Sequence, residues 1–416
     1  MKNVIDLLNS VFLSSILFGL LLLSPAFAQP PSTETNRITT FGRSLKNYGK
    51  KNRKETNKNN FKDDETIRVE TNLVVNDVLV VDRDGAPVTD LGREDIIITE
   101  DGVPQKISLF AFGENSEMPR SIVLIIDYST SLLPYISSSS EAAKLLIAKL
   151  RPQDKMALVT DDIEVLVDFT GDKALLRDTL DNLTLKAMSG NKVGKSQPFS
   201  TLLAALNEMF DGRESRPMVI FQSDGDEYAF LRPVQYFSAA AKEDFTEMCL
   251  TDKWFCEREF AFSDVTESIE RSKVTIYSVI PGIRFTGVPD EEKQKRGVVS
   301  TANRLRAILA KPDEKFINKF SREYAATEAK EKTAWQTSMV EAAEMSGGYA
   351  SYLERPEDGE KIYSGILKTI ENRYVIGYYP KNEARDGKQR MVKIEVKGHP
   401  EYQVMGRKSY IAPLDE

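Results

Sequence analysis

Residues 123–131 read VLIIDYSTS, and how this stretch is read decides the fold. Val123, Leu124, Ile125 and Ile126 form a run that is apolar on both faces and β-branched at three positions, the mark of a strand covered on both sides. The run stops at Asp127, and two hydroxyls follow at alternate positions, Ser129 and Ser131. A second such run, RPMVIFQSD at 216–224, also ends in a carboxylate, Asp224, followed by Gly225. Between them in sequence, Thr201 lies at the start of the apolar-periodic segment STLLAALNEMF. Ligands of an open α/β sheet bind outside the carboxyl ends of its strands. Three loops should therefore bring two carboxylates and three hydroxyls to one edge.

The surroundings of these runs alternate in the same way. SSSEAAKLLIAKL reads as an amphipathic helix opened by serines, KMALVT and EVLVDF as strands, and DKALLRDTLDNL as a helix. KVTIYSVI is a further strand, and TSMVEAAEMSGG a last helix closed by a glycine pair. This order predicts an α/β domain over 119–371: a doubly wound, mostly parallel sheet with helices on both faces. Two stretches exceed the minimal repeat, an aromatic and acidic insertion at 227–268 and a charged, helical one at 282–333. Both are expected on the periphery, where loops set specificity.

The flanks have β character. Residues 66–118 carry β-branched runs broken by the turn dipeptides Asp84-Gly85 and Asp101-Gly102, and 372–416 carry RYVIGYYP and MVKIEVK around Asp386-Gly387. Neither flank is large enough to be stable alone. The two are expected to pair into one small β-sandwich, with the α/β domain inserted between them. Tyr374, Tyr378, Tyr379 and Tyr410 should pack inside it.

The bulk composition limits the function classes. A chain of 416 residues, 41% hydrophobic and 29% charged, should form two or three soluble domains. A net charge of −7 gives no support for nucleic-acid binding. The single histidine, His399, removes most zinc sites and Ser-His-Asp triads. Lys2, the apolar run VFLSSILFGLLLL and the small residues SPAFA predict an export signal over 1–28, cleaved after Ala28. No later segment is apolar enough to span a bilayer, so the mature chain is expected to be secreted or periplasmic. Residues 29–65, polar and basic, read as a disordered linker. In an exported chain Cys249 and Cys256, separated by six residues, are expected to form a disulfide, with two reduced thiols as the alternative.

An all-oxygen donor set suits a hard cation, Mg²⁺ or Mn²⁺, rather than zinc. Asp127-x-Ser129-x-Ser131, then a threonine before an apolar helix, then Asp224-Gly225 after a buried strand resembles the metal-ion-dependent adhesion site of von Willebrand factor type A domains. The β flanks resemble those of secreted bacterial proteins related to that family, known chiefly from Acidobacteria. The resemblance implies a Rossmann-like fold and a metal held by Asp127, Ser129, Ser131, Thr201 and Asp224, hydroxyls directly and aspartates in part through water. Where the family often has glycines before the threonine, this chain has Pro198-Phe199-Ser200.

Three other signals weaken on inspection. GNKVGKS at 190–196 has three residues between its glycines where a phosphate loop needs four, so no nucleotide is expected. DRDGAPVTDLGRE has Ala86, Pro87 and Arg93 where a calcium loop needs an oxygen ligand, Gly and Glu. Asp226 and Glu227 read as surface carboxylates at a loop tip. The expected function is a non-enzymatic binding or adhesion module whose metal grips an Asp or Glu of a protein partner. The alternatives are a metal-independent scaffold assembling through its β-sandwich and, with less support, a Mg²⁺-dependent hydrolase.

Overall fold

The computed structural model describes residues 37–45, 73–113, 117–189, 196–210, 215–227, 262–309 and 311–414. The expected signal segment and the Cys249–Cys256 pair lie outside the described residues. Four strands come first: β1 (Val74–Val81), β2 (Ile96–Glu100), β3 (Val103–Pro104) and β4 (Ile107–Phe112). The central part runs β5 (Arg120–Ile126), α1 (Leu133–Ala148), β6 (Lys155–Thr160), β7 (Glu164–Thr170), α2 (Lys173–Met188) and α3 (Pro198–Glu208). It continues with β8 (Arg216–Gln222), α4 (Phe262–Ser272), β9 (Thr275–Pro281), α5 (Asp290–Ile308), α6 (Glu314–Met345), β10 (Tyr349–Leu353) and α7 (Gly359–Glu371). The last strands are β11 (Tyr374–Tyr378), β12 (Gln389–Val396), β13 (Gln403–Met405) and β14 (Ser409–Ile411).

The central sheet has six strands in the order β10-β9-β8-β5-β6-β7 among the described residues, parallel except for the antiparallel edge strand β7. Successive side chains of a strand point to opposite faces, and β5 uses both. Ile122, Leu124 and Ile126 pack with residues of α1, α2 and α7, whereas Val123 and Ile125 pack with residues of α3, α4 and α6. The chain is therefore the expected doubly wound α/β domain.

The flanks pair as expected. The described strands form two four-stranded sheets, β13-β1-β11-β4 and β14-β12-β2-β3, each mixing strands from before and after the α/β domain. Their shared core includes Val78, Ile98, Tyr374, Ile376, Tyr378 and Val392. Asp101 and Gly102, both at positive φ, make the tight turn between β2 and β3. Tyr378 and Tyr410 each donate their phenolic hydrogen to Glu100 Oε2, at 2.8 and 2.9 Å. Tyr379 departs from the expectation: it is exposed, because alternation sends it away from the core its neighbour enters.

Three buried arginines join sandwich to α/β domain. Arg216, at the start of β8, pairs with Asp77 of β1 at 2.8 Å. Arg373, just before β11, donates to the carbonyls of Gly347 and Met405, and Arg407 to those of Ile269 and Val274.

Some expectations need correction. The linker expected over 29–65 contains an ordered piece: Leu45 is fully buried against the α/β core, and the amides of Gly42 and Ser44 donate to Glu208 at 2.9 and 2.8 Å. The apolar pair Phe41 and Leu45 gives this piece something to bury. Helix α4 begins inside the 227–268 insertion yet is a core helix, through Val265 and Ile269. The 282–333 insertion is not peripheral either. It contains α5 and most of α6, a 32-residue helix that runs unbroken into the segment read as a separate last helix. No helix among the described residues is long and apolar enough to cross a membrane.

Candidate metal centre

Strands β5 and β8 are parallel neighbours with Ile126 opposite Gln222, so the residues that follow emerge side by side. The Asp127 amide donates to the Gln222 carbonyl at 2.9 Å, extending the ladder by one bond. Asp127 is fully buried. Its Oδ1 accepts from the Ser129 amide at 2.9 Å, an Asx-turn that bends the chain sharply out of the strand. Its Oδ2 accepts from Ser223 Oγ at 2.7 Å. From the β6 end, Asp161 accepts the Tyr128 amide at 3.1 Å and Asp162 the Tyr128 hydroxyl at 2.7 Å, pinning the loop from its other side.

Ser129 precedes a 3-10 turn and Leu132 precedes α1, but neither N-cap makes a side-chain capping bond. Helix capping therefore does not account for the serines. Instead, Ser129 Oγ and Ser131 Oγ lie 3.1 Å apart, and Ser131 Oγ donates to Asp224 Oδ2 at 3.3 Å. Neighbouring oxygens of an octahedral Mg²⁺ shell stand about 3.0 Å apart, so these three oxygens are spaced as adjacent ligands would be. Both serines are half-buried, which leaves the edge open to solvent on their side. No group of three or more His, Cys, Asp or Glu side chains set for a metal occurs among the described residues. This donor set is distinct in relying on hydroxyls.

Thr201 is placed differently. Its hydroxyl donates to the Thr160 carbonyl at 3.3 Å and accepts from the Ile163 amide at 3.2 Å. No hydrogen bond joins it to Asp127, Ser129, Ser131 or Asp224. The preceding Ser200 hydroxyl donates to Glu227, whose carboxylate also accepts the amides of Phe199 and Ser200 at 2.6 and 3.0 Å. Glu227 thus caps α3 across space and ties the loop after β8 to the helix carrying Thr201. The expectation of a surface carboxylate fails for Glu227, which is buried, and Asp226 is half-buried.

Gly225 sits at φ +75° beneath α6, and a Cβ there would lie 3.2 Å from Trp335 Cβ and 3.3 Å from Met339 Sδ. This close approach lets α6 reach the site. One turn before Trp335, the buried Lys332 donates from Nζ to Asp224 Oδ2 at 2.8 Å, the same oxygen that accepts from Ser131. Lys332, Glu227 and Asp161 were not legible as site residues; each meets the site through a contact remote in sequence.

The electrostatics follow from burial. Asp127 is pushed well above the usual carboxylate range by desolvation and then by the charges of Asp161 and Asp224. Burial also acts on Asp224, but the Lys332 ammonium and the hydrogen bonds from Asp226 and Ser131 outweigh it and hold the carboxyl below its ordinary value. Asp226 is raised to about 6 by burial and Asp224, and Glu227 to about 7 by burial despite its three donors. The residues present fit a hard cation in donor type and spacing, and Lys332 pairs with Asp224 at 2.8 Å.

No protein-family model matches this sequence, and no curated protein is similar to it at the level of sequence. Solved structures are similar in layout. The von Willebrand factor domain of the type V pili tip protein Mfa5 from Porphyromonas gingivalis has a TM-score of 0.32 at 14% identity, over 61% of this chain and 95% of that one. A von Willebrand factor type A protein from Catenulispora acidiphila has a TM-score of 0.32 at 9% identity, over 82% of this chain and 74% of that one. Proximal thread matrix protein 1 from the mussel byssus, with a zinc-occupied adhesion-site motif, has a TM-score of 0.31 at 12% identity, over 62% and 49%.

Proposed function

We propose that this chain is an exported binding module that holds a divalent cation, Mg²⁺ or Mn²⁺, and uses it to engage an acidic side chain of a partner protein. The observation that carries the reading is the row Ser129 Oγ, Ser131 Oγ and Asp224 Oδ2, spaced 3.1 and 3.3 Å and free of capping duty, with Asp224 buried and the two serines half-buried on the solvent side. Asp127, Ser129, Ser131 and Asp224 would hold the ion, with Thr201 as the fifth candidate. A bound divalent ion supplies concentrated positive charge and an open position for an incoming carboxylate. The chain's own part is to fix the donors: Ser223 and the Ser129 amide orient Asp127, and Gly225 lets the Asp224 loop lie flat under α6.

Calorimetric titration of the mature protein with MgCl₂ and MnCl₂ tests this, with Asp127→Ala as control. Saturable binding in the parent and none in the folded variant is expected; equal heats in both would end the reading. If binding holds, immobilised Asp- or Glu-bearing peptides should be retained with Mg²⁺ and released by EDTA. Export is tested by the mature N-terminus, expected at Gln29 by mass spectrometry.

One observation favours a metal-independent scaffold instead: Lys332 already neutralises Asp224. Hydrolysis has less support, since the one imidazole, His399, is stacked on Tyr402 in the sandwich.

A further inference from the structure

Resting on the metal reading above, we infer that Lys332 is a built-in competitor for the divalent cation, so that the site alternates between a lysine-bound and a metal-bound form. Lys332 Nζ donates to Asp224 Oδ2 at 2.8 Å, and that oxygen also accepts from Ser131 in the row of candidate ligands. A divalent ion and an ammonium cannot both use this oxygen without facing each other as like charges across it, in a pocket where burial weakens screening.

The helix beneath the lysine is fixed. Gln336 accepts the Phe285 amide at 2.7 Å and donates to the Ile283 carbonyl at 2.8 Å, while Ser278 donates to the Met339 carbonyl at 3.0 Å. On its other side α6 meets α5 so closely that a Cβ on Gly297 would lie 2.2 Å from the Ala325 carbonyl oxygen. Glu328, a turn before Lys332, is held by Ser300 at 2.8 Å and Arg304 at 3.0 Å. A rigid helix leaves the four-carbon stem of Lys332 as the moving part. Asp226 and Glu328 both attract the ammonium as well. The exchange is thus a swing of one side chain. The insertion that supplies α6 gives the site its own counter-ion, and a partner would meet a charged metal only after Lys332 has withdrawn.

The geometry also provides a reporter. Lys332 Nζ lies 4.8 Å from the centroid of the Trp335 ring, close enough for a cation–π contact. The chain has two tryptophans, Trp254 and Trp335, so a Trp254→Phe background isolates the second. In that background MgCl₂ is titrated against the parent, Lys332→Gln and Asp127→Ala, by calorimetry and by tryptophan emission. The parent should show a saturable emission change as the ammonium leaves the ring. Lys332→Gln should bind Mg²⁺ at least about tenfold more tightly, with no such emission change. Lys332→Met replaces Lys332→Gln if circular dichroism shows the latter unfolded. Equal or weaker Mg²⁺ affinity in the lysine variant overturns the competition, while loss of binding in Asp127→Ala keeps the metal site standing. Absence of Mg²⁺ binding in parent and lysine variant alike overturns both.

Discussion

Glu227 offers a sharp test of the electrostatics around the site. Its carboxylate accepts from the Phe199 amide at 2.6 Å, the Ser200 amide at 3.0 Å and the Ser200 hydroxyl. Burial nevertheless raises its pKa from 4.5 to about 7. A carboxyl whose folded pKa lies above its unfolded value binds its proton more tightly in the folded chain. Its contribution to stability is therefore complete below about pH 4.5 and lost as pH rises through about 7. At about 1.4 kcal/mol per pH unit the whole effect is about 3 kcal/mol. Glu227→Gln keeps an oxygen to accept the two amides and removes the titration. Urea unfolding in EDTA, followed by circular dichroism at pH 4.5 and about pH 8, should show the variant gaining about 3 kcal/mol on the parent between the two conditions. Taking the difference between proteins cancels all other titrating groups. A variant-minus-parent difference that stays constant with pH would show Glu227 ionised throughout, as an ordinary anionic cap of α3, and would refute the reasoning.

Two further outcomes are expected. Asp77→Ala strands Arg216 without its partner between sandwich and α/β domain, where both side chains are at most 7% exposed; the loss should be about 3–5 kcal/mol in urea unfolding, and Arg216→Met on top should restore part of it. Thr201→Ala removes a hydroxyl whose present bonds are long, 3.2 and 3.3 Å, so stability should change by less than about 1 kcal/mol. Mg²⁺ affinity should nevertheless fall about tenfold if Thr201 turns to the ion. Unchanged affinity would remove Thr201 from the ligand set.

What the sequence determines here is whatever is written in adjacent residues. VLIID and RPMVIFQSD are apolar on both faces because helices cover both sides of β5 and β8, and that pattern is legible without coordinates. The Asp127, Ser129 and Ser131 spacing survives as a cluster because the turn that forms it is local, from an amide to a side chain two residues away. The sandwich flanks were legible for the same reason, as alternating runs broken by Asp-Gly turns. Tertiary structure alone decided the surroundings of the site. Lys332 reaches Asp224 across 108 residues, and nothing near it in sequence separates it from the other lysines of a charged helix. Glu227 looks like a loop-tip acid until α3 presents two amides to it. Leu45 sits in a polar tract whose composition suggests no packing, yet a pocket on the α/β core buries it completely. Local patterns fix which backbone forms and which donors share a turn. Which charge faces which, and what is dry, depends on chain segments meeting over long separations, where burial rather than spacing sets the energy.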